Sequence, residues 1–352
     1  MIVTIKAEIF NNSNNHSDLD DLMHFFRKGK HKMNLKKKVD FDAFDNSDWT
    51  ETLSISDKDF LRESISNVDK KEIIVSETIN ETEFNLKEAY AYLQQPLSII
   101  IENAKNDSPF INCIFKNFGD DLLKGKNKHW IKFEHGGGAN NDTIISMMNE
   151  QYNDSVFNKS KEKYLRCFVI KDSDREYCII NSDGSIIEQK LSTHKTKFLE
   201  ELKIPFHILY KREMENYMTN SVFNNFLQTA KKNDAKKEFS KLYLKLNPHQ
   251  KDFFDIENGF SLKGVIKERE KLDPQIKDLY KDLSNKQYRK IGLGLPFSNF
   301  KSEFSKHFEN VTKEDLEKRI QHQPKLTSKV NPKDITKRNE FDHIIHEIKY
   351  LL

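Results

Sequence analysis

Two short and nearly continuous apolar runs, Leu97-Ser98-Ile99-Ile100-Ile101 and Cys167-Phe168-Val169-Ile170, constrain this chain more than any other feature. Runs of this length with branched or aromatic side chains at successive positions suit strands buried on both faces. Both faces are covered when helices flank a parallel sheet. Each run ends in acid: Glu102 follows the first, and Asp172-Ser173-Asp174 follows the second. Open α/β sheets place their ligand sites at the carboxyl ends of their strands.

Residues 86–225 alternate strand and helix patterns around these runs. Leu86, Ala89, Tyr90 and Leu93 share one helical face, and Pro96 ends that helix. Ser108 to Phe118 has helical spacing. Trp130-Ile131-Lys132-Phe133 reads as a short strand leading to His135-Gly136-Gly137-Gly138. Asn141 or Asp142 can cap the helix after it, which carries Ile144, Ile145, Met148 and Tyr152. Phe206 to Tyr210 gives a further strand, and Lys211-Arg212-Glu213-Met214-Glu215-Asn216-Tyr217 follows it. This succession predicts an α/β fold with a mostly parallel sheet covered by helices. Three regions are expected: a mixed N-terminal region over 1–85, the α/β core over 86–225, and a mainly helical region over 226–352.

At 352 residues, two or three domains fit the length, and 32% charged residues point to a soluble chain. Cys113, Cys167 and Cys178 have no metal-ligand spacing, and their odd number suits no disulfide framework, so a reducing cytoplasm is expected. The segment Met1 to Glu8 meets charge too early for a signal peptide, and no apolar run reaches membrane-helix length. The net charge of +3 is uneven: residues 231–352 hold 27 Lys and Arg against 19 Asp and Glu. A basic half suits phosphates, although solvated helix faces would give the same count.

Acids delivered by several strand ends make a hard-oxygen cluster of the kind Mg²⁺ and Mn²⁺ prefer. Asp172 and Asp174, two apart, are expected to share a face and to ligate metal. Glu213 and Glu215 alternate in the same way, and either is expected to be able to complete a second metal site. Lys211 and Arg212 are placed to neutralise a phosphate. Gly136, Gly137 and Gly138 leave backbone N–H groups open to a phosphate, or simply form a tight turn. His135, His194 and His207 lack paired metal spacing and read as packed or surface histidines. The phenylalanines from Phe253 to Phe308 favour core packing over base stacking.

The ordered set resembles a Toprim domain: a Glu after the first strand, a glycine turn after the second, Asp-x-Asp after the third, and Arg-Glu-x-Glu-Asn-Tyr after the fourth. It is most similar to the nuclease domains of the OLD (overcoming lysogenization defect) family and to stand-alone Toprim effectors of anti-phage systems of the PARIS type. The similarity spans roughly residues 95–225. Toprim domains usually carry Gly after the first Glu, where this chain has Asn103. The resemblance implies a divalent-metal-dependent endonuclease with Mg²⁺ or Mn²⁺ as cofactor. It assigns Glu102 to metal binding or acid–base work, and makes Asp107 a further ligand. It also implies a separate ATPase partner, because no GxxxxGK[ST] occurs in this chain. DNA, tRNA and other RNA stay open as substrates, as does self-association into a homo-oligomer. A non-cutting scaffold subunit and a primase- or topoisomerase-like enzyme are the alternatives.

Overall fold

The computed structural model describes residues 1–64, 70–78, 80–137, 141–151, 161–192, 196–229, 231, 234–297 and 299–352. It is a mixed α/β protein with two four-stranded parallel sheets. The first is built from β1 (Ile2–Ile5), β2 (Lys32–Asn34), β3 (Glu72–Val75) and β4 (Glu83–Phe84), in the order β2-β1-β3-β4. Of these, only Ile2-Val3-Thr4-Ile5 reads as strand-like in the sequence. The others have three, four and two residues, too few for a periodic signal.

The second sheet holds β5 (Leu97–Ile101), β6 (Ile131–His135) and β7 (Cys167–Lys171). An antiparallel hairpin, β8 (Cys178–Ile180) and β9 (Ile186–Glu188), lies outside it, and β10 (Phe206–Ile208) completes it. The order is β10-β7-β5-β6, all parallel. From β5 the chain goes first to one neighbour, β6, and then to the opposite one, β7. The switch point therefore lies between β5 and β7, the crevice where such sheets bind ligands.

Alternation along β5 and β7 divides two cores. Leu97, Ile99, Ile101, Phe168 and Ile170 pack with the helices that follow residue 217. Ile100, Cys167 and Val169 pack with residues 1–93. The two central strands, β5 and β7, are thus clamped on both faces, which explains their nearly unbroken apolar runs.

Helix α1 (Leu86–Gln94) opens with a reciprocal cap: Asn85 Oδ1 accepts from Glu88 N at 2.8 Å, and Glu88 Oε2 accepts from Asn85 N at 3.0 Å. Helix α2 (Ala104–Phe118) begins four residues before the expected Ser108. Asn103 is its N-cap, accepting from Lys105 N at 3.1 Å and Asn106 N at 3.2 Å. Its φ is −134°, so this position needs no glycine. In the C-terminal region, α3 (Pro248–Phe253), α4 (Phe300–Phe304), α5 (Lys313–Ile320) and α6 (Glu340–Leu351) back the carboxyl edge of the second sheet or flank it. Phe253, Phe254, Phe300, Phe304 and Phe308 are buried, in keeping with the core reading. No helix among the described residues is long and apolar enough to cross a membrane.

Candidate functional site

The carboxyl edge of the second sheet gathers charge at the switch point. Glu102 ends β5 and Asp172 ends β7, and both are half-buried. Asp107 lies in the first turn of α2, where its Oδ2 accepts from Asn103 N at 2.7 Å. Glu213 and Glu215 arrive after β10 on a short 3-10 turn, Met214–Tyr217. That turn is tied to β7, because Met214 N donates to Asp172 Oδ1 at 3.0 Å. It is tied to the C-terminal region as well: buried Asn216 donates through Nδ2 to Lys251 O at 2.8 Å and Phe254 O at 2.7 Å.

These carboxylates feel one another. Burial, followed by Glu215, Glu213, Asp107 and Glu102, pushes the Asp172 carboxyl well above its ordinary range. Burial and then Glu213 raise Glu215 to about 8. Burial, and then Asp255, raise Glu213. Asp107 rises to about 6, chiefly through burial. Like charges held together favour protonation, and a cation would relieve them.

One cation already faces the group, and sequence reasoning missed it. Lys301, half-buried on α4, loses stability as an ammonium through burial. Glu215, Glu213, Glu102 and Asp172 outweigh that cost and hold its pKa above the usual lysine range. Aromatic packing places it: the Phe300 and Phe304 rings stack at 4.9 Å, and Phe308 just beyond meets Phe110 of α2 at 5.1 Å. The single signal in the sequence was a lysine inside a run of phenylalanines.

Other expected residues sit differently. Asp174 does not share a strand face with Asp172. The pleat of β7 ends at Lys171, Asp174 is exposed with φ +53°, and its N–H donates to Arg212 O at 2.9 Å. The Lys211 ammonium is turned away from the acids and into the core, against Asp252 and, at 2.9 Å, Arg319 O. Arg212 reaches Asp255 Oδ2 at 3.1 Å, Glu213 Oε1 at 3.4 Å and Glu176 Oε1 at 3.7 Å. The N–H groups of Gly136 and Gly137 donate to Ile101 O at 2.7 Å and Glu102 O at 3.1 Å, so they close the β5–β6 edge. Gly137, at φ +62°, makes that turn. Gly138, Tyr152 and His194 lie outside the described residues. His207 is buried, with Nε2 2.9 Å from Glu340 Oε1.

Behind this edge lies a second polar cluster centred on Asp252 of α3. Asp252 is fully buried and meets Lys211, Arg319 at 2.9 Å and His322 at 2.5 Å. Burial works against its carboxylate, but Lys211, Arg319 and His322 outweigh it and hold the pKa below the ordinary range. Comparison with protein-family models, curated proteins and solved structures gave no match.

Proposed function

We propose that this protein is a Toprim-type, divalent-metal-dependent nuclease that cuts phosphodiester bonds in nucleic acid. The observation that carries this reading is that Glu102, Asp107, Glu213 and Glu215 all act electrostatically on Asp172 beside the switch point, and that Lys301 is held charged by the same acids. The donor set is all oxygen, as Mg²⁺ or Mn²⁺ requires. The raised Asp172 and Glu215 carboxyls fit a site lacking positive charge that one or two such ions supply. Glu102, Asp172 and Glu215 would hold the metal, with Asp107 and Glu213 beside them. A bound ion there would supply Lewis-acid stabilisation of the phosphoryl transition state and a more acidic water.

The chain's own groups do the rest. Glu102, at the end of β5, is placed to take a proton from an attacking water. Lys301 neutralises a non-bridging phosphate oxygen or the leaving oxygen. Arg212 and Lys211 are engaged by Asp255, Glu213 and Asp252, so they position the acidic turn and do not grip substrate. In the family it resembles, such a nuclease is an anti-phage effector restrained by a separate ATPase, and we extend that role to this chain.

Glu102→Gln tests the reading. It keeps size and hydrogen bonding but removes the charge and the ability to take a proton. Cutting of DNA and of tRNA with Mn²⁺ should fall by at least the ~10²-fold typical of losing a general acid or base, with the melting temperature nearly unchanged. Lys301→Met should lower turnover by a comparable ~10²-fold while leaving the fold intact, as loss of one electrostatic donor does. Full activity in both variants would move the chemistry away from the switch point.

A further inference from the structure

We infer that His249, Asp252 and His322 form a binding site for a borderline divalent cation of the Zn²⁺ class, separate from the carboxylate cluster. Ring nitrogens of the two histidines and a carboxylate oxygen of Asp252 lie within 4.8 Å of one another. Among the described residues this is the one group of three or more such donors so closely gathered. It does not depend on the proposed nuclease activity.

The sequence produces the site through two elements. His249 and Asp252 stand three apart on α3, which places them on one helix face. Pro248 at the first position and the Asn247 cap, accepting from Gln250 N at 2.9 Å, fix where that helix starts. His322 comes from the turn just after α5 and lies edge-on to His249, with ring centroids 5.2 Å apart. The donors of a tetrahedral zinc site, bonded at about 2.0–2.2 Å, stand roughly 3.3–3.6 Å from one another. Small rotations of the two histidines cover that difference.

The donor chemistry selects the ion. Two imidazole nitrogens and one carboxylate suit zinc, cobalt or nickel, and they suit magnesium poorly. The Nδ1 atom of His249 is buried and has no hydrogen-bond partner. Buried polar atoms are rarely left so. On Asp252 the roles are split between oxygens. Oδ1 faces Lys211 and Arg319, while Oδ2 faces His322. The two cations oppose a further positive charge, but they act from the Oδ1 side, where they hold the carboxylate as outer-shell donors do. His322 Nε2 lies 2.5 Å from Oδ2, so both donors already point at one another across the space an ion would take. The His322 side chain is 18% exposed, which gives the ion a way in.

An ion here would staple the end of α5 to α3. Helix α3 in turn holds the acidic turn, through Asp252 O to Arg212 N at 2.9 Å and Lys251 O to Asn216 Nδ2 at 2.8 Å. Occupancy would therefore stiffen the backing of the carboxylate cluster without entering it.

The full chain, stripped with chelator, is titrated with Co²⁺ and followed by visible absorption, and Zn²⁺ is then added to displace it. One equivalent of cobalt should give a tetrahedral spectrum, and excess Mg²⁺ should not remove it. His249→Gln and His322→Gln should each weaken binding by more than the roughly 10–100-fold that losing an outer-shell partner costs. A variant carrying Asp172→Asn and Glu215→Gln should bind cobalt as the parent does. Absence of the tetrahedral spectrum overturns the inference, as does a spectrum that survives both histidine changes. So does one lost only with the acidic variant. His249→Gln removes no hydrogen bond of Nδ1 and carries the test alone if His322→Gln fails to fold.

Discussion

Asp172→Asn combined with Glu215→Gln is expected to abolish metal-dependent cutting and, in metal-free buffer at pH 8, to make the protein more stable. The first half rests on the proposed activity. Two of the carboxylates nearest the switch point lose their charge, so affinity for Mn²⁺ and the negative pocket both go. Isothermal titration with Mn²⁺ and a cleavage assay read this directly. Metal-dependent turnover within about tenfold of the parent would sink the assignment, since losing a metal site costs far more than one hydrogen-bond donor.

The second half rests on proton linkage. An unfolded Glu or Asp titrates near ~4. In the folded protein burial and Glu213 raise Glu215 to about 8, and Asp172 is also raised. Between those values the folded state binds more protons than the unfolded one, so stability falls as pH rises. The penalty is absent below the unfolded pKa and complete above the folded one. The amides carry none of it. The stability difference between variant and parent should therefore be near zero at pH 4, grow through pH 5 to 7, and reach on the order of a few kcal/mol at pH 8. Taking the difference cancels the titrating groups that do not interact with this pair, including His249 and His343, whose depressed pKa values act in the opposite sense. Mn²⁺ should stabilise the parent at pH 8 and leave the variant unmoved. A difference that shrinks with rising pH contradicts the electrostatics of the site.

The strands that carry Glu102 and Asp172 were legible because both faces of their sheet are covered, and that leaves an apolar run in the sequence. Helix α1 was legible through its face and its proline stop. What the sequence hid are partnerships over long separations. Asp174 leaves the strand face because its N–H turns to Arg212 O, 38 residues on, and no local pattern encodes that. Lys211 looks like a phosphate ligand by its neighbours, yet Asp252 and Arg319 claim it. Lys301 reaches the acids because aromatic rings seat α4, and ring packing has no short-range signature. His249 and His322 are 73 residues apart and share no motif spacing. The other three strands of the first sheet, β2, β3 and β4, escaped notice because three, four and two residues are too few positions for period two to be recognised.

Asp252→Ala is expected to be the most damaging single substitution for stability, at about 3–5 kcal/mol in urea unfolding at pH 7. The side chain is fully buried, as is that of Lys211, while Arg319 is 6% exposed. Removing the carboxylate strands two cations away from water with no anion in contact. Breaking such a buried pair costs more than the pair itself contributes, because the remaining charge keeps its desolvation penalty. Burial and Arg319 already press the Lys211 pKa down, with Asp252 as the opposing attraction. Without Asp252 the lysine gives up its proton, and part of the penalty becomes the cost of deprotonation. Adding Lys211→Met to Asp252→Ala removes that part, so the double variant should be more stable than Asp252→Ala alone. The single substitution should also loosen the acidic turn, since Asp252 and Asn216 anchor it to α3 from the same side. Hydrogen exchange at Arg212 N–H, which donates to Asp252 O, reports on that loosening. A loss below about 1 kcal/mol, the scale of an exposed ion pair, would mean that water reaches Lys211 and Arg319 and that the cluster is not a sealed anchor.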